Sequence, residues 1–210
     1  MDLKPLYEAV LEGDASTART LTEEALAEGI DPQALLSDYL IPAMDEVGRR
    51  FETNEYFVPE LLIAARAMKN CLSLIRPLLA ESGAKPVGKV AIGTVRGDLH
   101  DIGKNLVAAM LEGGGFEIVD LGVDVSPEKF VSAVKESGAQ IVALSALLTT
   151  TMPGMKQTID ALGDAGVRNN VKIIIGGAPV TQKFATEIGA DGFSDTASGA
   201  VRIARDLMAV

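Results

Sequence analysis

Residues 88–122 read GKVAIGTVRGDLHDIGKNLVAAMLEGGGFEIVDLG, and this stretch decides the fold. Lys89–Val95 and Phe116–Asp120 are short runs rich in β-branched residues and bounded by Gly or polar turns, which predicts two strands with a helix between them. The alternation continues toward the C-terminus. Ile141–Ser145, Val171–Ile175 and a weak Asp191–Phe193 predict three further strands. Ser126-Pro127-Glu128 and Pro153 mark helix starts between them, and a last helix is predicted from about Ser198 to Met208. Five βα units of this kind predict an α/β domain built on a doubly wound, five-stranded parallel sheet, flavodoxin-like in type.

On the N-terminal side the pattern changes at Glu81–Gly88, where small residues, Gly and Pro mark a linker. Before it no strand signal occurs. A short helix from Pro5 to Leu11 is ended by Gly13, and a second starts at Asp14 or Ser16 and stops at Gly29. Asp31-Pro32 then offers an N-cap followed by proline at the first helical position of a third helix, running to about Phe51. Pro42 lies inside that stretch, where its missing N–H should bend the helix. Pro59 opens a fourth helix, from Glu60 to about Ala80, with Leu61, Ala64, Ala65, Met68, Leu72 and Ile75 in one apolar stripe. The chain is therefore expected to divide into a four-helix bundle over 1–85 and an α/β domain over 86–210.

Composition narrows the function. The chain has 210 residues with 19 Lys+Arg against 29 Asp+Glu, a formal net charge of −10, which argues against a nucleic-acid partner. No apolar run reaches the length of a membrane span, and no leader-like segment opens the chain, so a cytoplasmic protein without a membrane partner is expected. One cysteine cannot form an internal disulfide, and one cysteine with one histidine cannot make an ordinary structural zinc site.

In an open α/β sheet, ligands bind beyond the carboxyl ends of the strands. Three segments there are unusual. After the first strand comes Gly97-Asp98-Leu99-His100-Asp101-Ile102-Gly103-Lys104-Asn105, holding the chain's one histidine between two carboxylates. After the third comes the hydroxyl-rich Ser145-Ala146-Leu147-Leu148-Thr149-Thr150-Thr151, and after the fourth Gly176-Gly177. Taken singly, each has an ordinary reading as a surface histidine, a capping hydroxyl or a tight turn. Together they converge on one crevice. Asp98, two residues before His100, is placed to accept the Nδ1 proton, which fixes the tautomer and leaves Nε2 free for a metal or a substrate.

The pattern Asp98-x-His100-x-x-Gly103, then 41 residues, Ser145-x-Leu147, then 28 residues, Gly176-Gly177 resembles the cobalamin-binding signature of methyl-transferring corrinoid proteins and of the cobalamin module of methionine synthase. The helical half is similar to the cap bundle that precedes this module in the same family, through Val47–Phe51, Tyr56–Glu60 and Ala64–Lys69. The resemblance spans essentially the whole chain.

It implies a cobalamin or related corrinoid, cycling between methylcobalamin and cob(I)alamin, bound with its own base off cobalt. His100 would be the metal's lower ligand. Asp98 would accept the other imidazole proton, and Thr151 falls where the family places a relay serine, keeping the hydroxyl but adding a methyl group. Leu99, Asp101, Ile102, Gly103 and Leu147 would line the cofactor. Ser145 and Thr149 would bind the displaced nucleotide tail, with Gly176 and Gly177 leaving room for it. In the cap, Phe51 and Val58 align with positions that shield the upper face. Leu61 and Met44 are further candidates, and all four also read as bundle core. The linker would act as a hinge.

A methyl carrier follows, active in one-carbon metabolism only with partner enzymes. The implied partners are a substrate-specific methyltransferase, a methylcorrinoid:thiol or methylcorrinoid:tetrahydrofolate methyltransferase, and a reductive activase. The alternative is a cobalamin-dependent sensor or regulator, but such proteins tend to place tryptophan over an adenosyl ligand, and this chain has none. An adenosylcobalamin mutase small subunit would lack the preceding cap.

Overall fold

A computed structural model describes residues 2–83 and 87–208. Two compact units divide between residues 86 and 87, with the short stretch 112–115 counted to the first. Residues 84–86, in the middle of the expected linker, lie outside the described residues.

The first unit is helical: α1 (Lys4–Leu11), α2 (Ala15–Ala27), α3 (Pro32–Leu35), α4 (Ile41–Glu52) and α5 (Val58–Ser82). Asp14 caps α2, accepting from the Thr17 amide at 3.0 Å and the Thr17 hydroxyl at 2.7 Å, and Asp31 caps α3 with Pro32 just inside. These are the start signals that the sequence carries. Pro42 is answered by a π-helical turn, Leu36–Leu40, joining α3 to α4. There the Ile41 N–H reaches back five residues to the Leu36 carbonyl, so one wide turn absorbs the ladder interruption that proline imposes.

Helix α5 starts two residues earlier than the pattern predicts, because Glu60 turns back to accept from the Phe57 N–H at 2.9 Å. It buries Leu61, Ala64, Met68, Leu72 and Ile75 as expected, and also Ala67 and Cys71, while Ala65 is only half-buried. The buried arc is wider than one stripe because α5 packs against α1, α2, α3 and α4 together.

The second unit is a five-stranded, all-parallel sheet in the order β2-β1-β3-β4-β5, with β1 (Lys89–Thr94), β2 (Glu117–Asp120), β3 (Ile141–Ser145), β4 (Lys172–Gly176) and β5 (Gly192–Phe193). Helices α6 (Ile102–Gly113), α7 (Pro127–Ser137), α8 (Pro153–Asp164), α9 (Gln182–Ile188) and α10 (Ala197–Met208) connect and flank the strands. The central strands β1, β3 and β4 are buried almost throughout, which is why they read as near-continuous apolar runs. Leu144, Ile173 and Ile175 of these strands pack in one core with Phe130 and Met155. Strand ends differ from the sequence reading by one residue, as at Val95, which forms an isolated bridge to Val125. The strand order reverses between β1 and β3, and such a switch point opens a crevice at the carboxyl edge. Among the described residues no helix is long and apolar enough to cross a membrane.

Candidate functional site

The sheet register brings the three unusual segments together. Thr94 pairs with Ser145, and Ser145 pairs with Gly176, so the loops leaving β1, β3 and β4 start from one row of the sheet, astride the switch point.

Asp98 is the hub. It is fully buried, and its two oxygens collect donors from both loops. Oδ1 accepts from the His100 amide at 3.1 Å and from His100 Nδ1 at 2.7 Å. Oδ2 accepts from the Leu147 amide at 2.8 Å and the Thr151 hydroxyl at 2.6 Å, with the Leu148 amide farther off at 3.4 Å. A carboxylate offers about four acceptor positions, so Asp98 is saturated. Burial pushes its carboxyl pKa up, but the bonds from Thr151, Leu147 and His100 outweigh this and hold it below the ordinary carboxylate range.

An ionised carboxylate only accepts, so Nδ1 of His100 carries a proton, and in the neutral ring it is Nε2 that holds the lone pair. The imidazole is half-exposed. Its backbone is fixed too, because the buried Thr94 hydroxyl donates to the His100 carbonyl at 2.8 Å. Thr151, Asp98 and His100 thus form one hydrogen-bonded chain ending at a free ring nitrogen. The threonine methyl is accommodated without displacing the hydroxyl from Asp98.

Large apolar side chains surround the imidazole's loops and face outward: Leu99 and Ile102 are 71% and 81% exposed, and Leu147 and Leu148 about two-fifths. A cluster of such residues beside a histidine lone pair suits a large, flat, mostly apolar ligand. Gly103 fits the same picture, since a Cβ there would meet no protein atom within 4 Å. Asp101 accepts from the Asn105 side chain at 3.1 Å. The Ser145 hydroxyl is half-buried without a hydrogen-bond partner among the described residues, and Thr149, four residues on, is exposed. Gly177 has φ +131°, and a Cβ on it would lie 1.9 Å from the Ala146 carbonyl oxygen. Glycine is therefore demanded there by the protein's own backbone. At Gly176 a Cβ would stand 3.0 Å from the Ser194 carbonyl oxygen.

In the helical unit, Met44 and Leu61 are buried, Phe51 is half-buried and Val58 is 40% exposed. Phe57, Leu62 and Ile63 are exposed beside Val58 at the start of α5. An ionic cluster fixes the turn before them. Glu46 accepts from Arg49 Nε at 2.7 Å, Arg49 Nη2 at 2.8 Å and Arg50 Nε at 2.8 Å. Arg49 also reaches Glu55 at 3.1 Å, and Arg50 reaches the Tyr56 hydroxyl at 3.0 Å while lying over the Tyr56 ring. These bonds bring the Glu46 pKa down to about 2.

Thr94 reads in the sequence only as part of a strand and Lys104 only as part of the histidine loop; that the Thr94 hydroxyl holds the His100 carbonyl and that the Lys104 ammonium pairs with Asp120 are contacts a one-dimensional pattern does not show.

Family models described as B12 binding domains match residues 3–76 and 88–203. The trimethylamine corrinoid protein of Methanosarcina barkeri is 47% identical over 196 residues, covering 92% of this chain and 90% of that protein. A cobalamin-binding protein from Desulfitobacterium hafniense superposes with a TM-score of 0.80 at 36% identity, over 98% of both chains. A methanol:cobalamin methyltransferase complex from Methanosarcina barkeri contains a chain that superposes with a TM-score of 0.86 at 31% identity, covering 98% of this chain and 78% of that one.

Proposed function

Because the chain belongs to the B12-binding-domain family, we propose that it is the corrinoid methyl carrier of a methyltransferase system, with His100 as the axial protein ligand of cobalt. One observation carries the reading: Nδ1 of His100 is committed to the buried Asp98 at 2.7 Å, so Nε2 is the ring nitrogen left to bind a metal. A corrin would bring its own cobalt, and His100 would supply the protein's donor to it.

Bound here, the corrinoid supplies a cobalt centre that takes up and gives up a methyl group. The protein's part is support. Asp98 orients the imidazole, and Thr151 with the Leu147 amide orients Asp98 in turn. With Nε2 unligated, the Asp98–His100 pair would hold a proton at Nε2. Leu99, Ile102 and Leu147 would pack against the ring, Gly103 would leave it space, and Ser145, Thr149 and the Gly176-Gly177 turn would take the displaced tail. Phe51 and Val58 are the proposed shields of the opposite face, with Met44 and Leu61 as further candidates, and the linker is the proposed hinge.

The donor enzyme is a substrate-specific methyltransferase. The acceptor enzyme is a methylcorrinoid:thiol or methylcorrinoid:tetrahydrofolate methyltransferase, a reductive activase restores oxidised cofactor, and the setting is cytoplasmic. The absence of tryptophan favours this over a light-responsive sensor.

The test is reconstitution of the wild type, His100→Ala and His100→Gly with corrinoid, read by paramagnetic resonance of the cob(II) form. Nitrogen hyperfine splitting from the protein is expected in the wild type and lost in both variants, with corrinoid still retained through its tail. Identical splitting in all three would remove His100 as the ligand.

A further inference from the structure

The segment leaving β2, Asp120-Leu121-Gly122-Val123-Asp124, touches the histidine loop at both of its ends. At the front, Asp124 forms a two-way clasp: its Oδ1 accepts from the Gly97 amide at 2.7 Å, and its own amide donates to the Asp98 carbonyl at 3.0 Å. Asp124 holds a left-handed φ of +51°, which Asp and Asn tolerate better than other side chains. Gly97, with φ +82°, is left-handed opposite it. The neighbouring backbone continues the seam, with Val125 donating to the Thr94 carbonyl at 2.9 Å and Thr94 to the Gly122 carbonyl at 3.0 Å. At the back, Lys104 lies one residue past Gly103, and its ammonium is almost wholly buried. It stands 2.6 Å from each oxygen of Asp120 and 2.7 Å from Asn105 Oδ1. Asn105 in turn donates to Asp101, the residue after His100, at 3.1 Å.

A buried ammonium is tolerated only when its donors are satisfied, so the Lys104–Asp120 contact has little freedom to rearrange. The histidine loop is therefore held by Asp98 from the β3 side and by Asp120 and Asp124 from the β2 side.

We propose that Asp124 and the Lys104–Asp120 pair are positioning residues for the axial histidine. They keep Asp98 and His100 in ligand geometry whether or not Nε2 is bound, so that release of the ligand does not let the loop relax. The proposal rests on His100 being the ligand, and its test separates the two. Asp124→Gly keeps the left-handed backbone at no steric cost and deletes only the carboxylate, whereas Asp124→Asn keeps both the backbone preference and an acceptor. Lys104→Met keeps the aliphatic stem and deletes the ammonium.

In the apoprotein, amide hydrogen exchange at Asp98, His100 and Leu147 should quicken about tenfold in Asp124→Gly, the scale of one lost hydrogen bond, and return to the wild-type rate in Asp124→Asn. Lys104→Met should speed the amides of 101–105. In the reconstituted cob(II) protein, the fraction showing nitrogen splitting should fall in Asp124→Gly and Lys104→Met and recover in Asp124→Asn. Wild-type exchange rates and splitting in Asp124→Gly and Lys104→Met, even with a lowered melting temperature, would overturn the proposal by making the role purely structural. Should Asp124→Gly fail to fold, Lys104→Met carries the test by the same two measurements. A wild type without splitting would sink the ligation itself, and the apoprotein exchange rates would still decide whether the 120–124 segment holds the loop.

Discussion

The histidine loop and the turn between α4 and α5 are both organised by a carboxylate that gathers several donors, and burial makes them different objects. Asp98 is fully buried and receives its bonds from two loops far apart in sequence. Glu46 is partly solvated and takes its donors from the next turn of its own helix, three and four residues on. In low dielectric an unmatched partner is expensive, so the Asp98 arrangement is held in one geometry. In water the same kind of contacts are weak and screened by salt, so the Glu46 cluster can be broken and remade at little cost. A loop that aims a metal ligand gains from the first property. A turn that presents the exposed apolar start of α5 can use the second.

Substitutions at three positions sharpen this contrast, in descending order of effect. Asp98→Asn keeps the volume but turns an amide NH2 toward donors, and should lower unfolding free energy by about 3 kcal/mol in urea titration. A change below about 1 kcal/mol would mean that the buried hub is not held as tightly as its bonds imply. Thr151→Val removes one donor to Asp98 and should cost about 1–2 kcal/mol, while Thr151→Ser should stay near the wild type by the same measurement. Glu46→Gln should cost under about 1 kcal/mol and lose even that effect in molar salt.

Acid separates the two regions further. Both carboxyls have folded-state pKa values lowered below their unfolded ones, so each contributes stability above the ordinary carboxylate value and loses it as pH falls through the lowered one. For Glu46 the window runs from 4.5 down to about 2. Melting curves over that range should show a loss that high salt removes in part. The part from Asp98 should persist in salt and disappear in Asp98→Asn.

Much of this was legible in the chain itself. The βα alternation, the strand positions to within a residue or two, the helix caps at Asp14, Asp31 and Ser126, and the three parts of the signature all depend on near neighbours or on strand periodicity. The π turn before Pro42 was foreshadowed only as a bend, because proline dictates which donor is missing and not how the helix compensates. The added burial of Ala67 and Cys71 required knowing that α5 is surrounded, which no single-helix stripe reveals.

What the sequence determined by itself was the set of chemical groups and the edge of the sheet to which they belong, since covalent spacing and strand period fix both. Only the tertiary structure decided which donors reach Asp98, why Gly177 has no room for a side chain, and how the exit of β2 grips the histidine loop from both ends. Those contacts join residues from separate strands, and their geometry is set by the parallel register that stacks Thr94, Ser145 and Gly176 in one row.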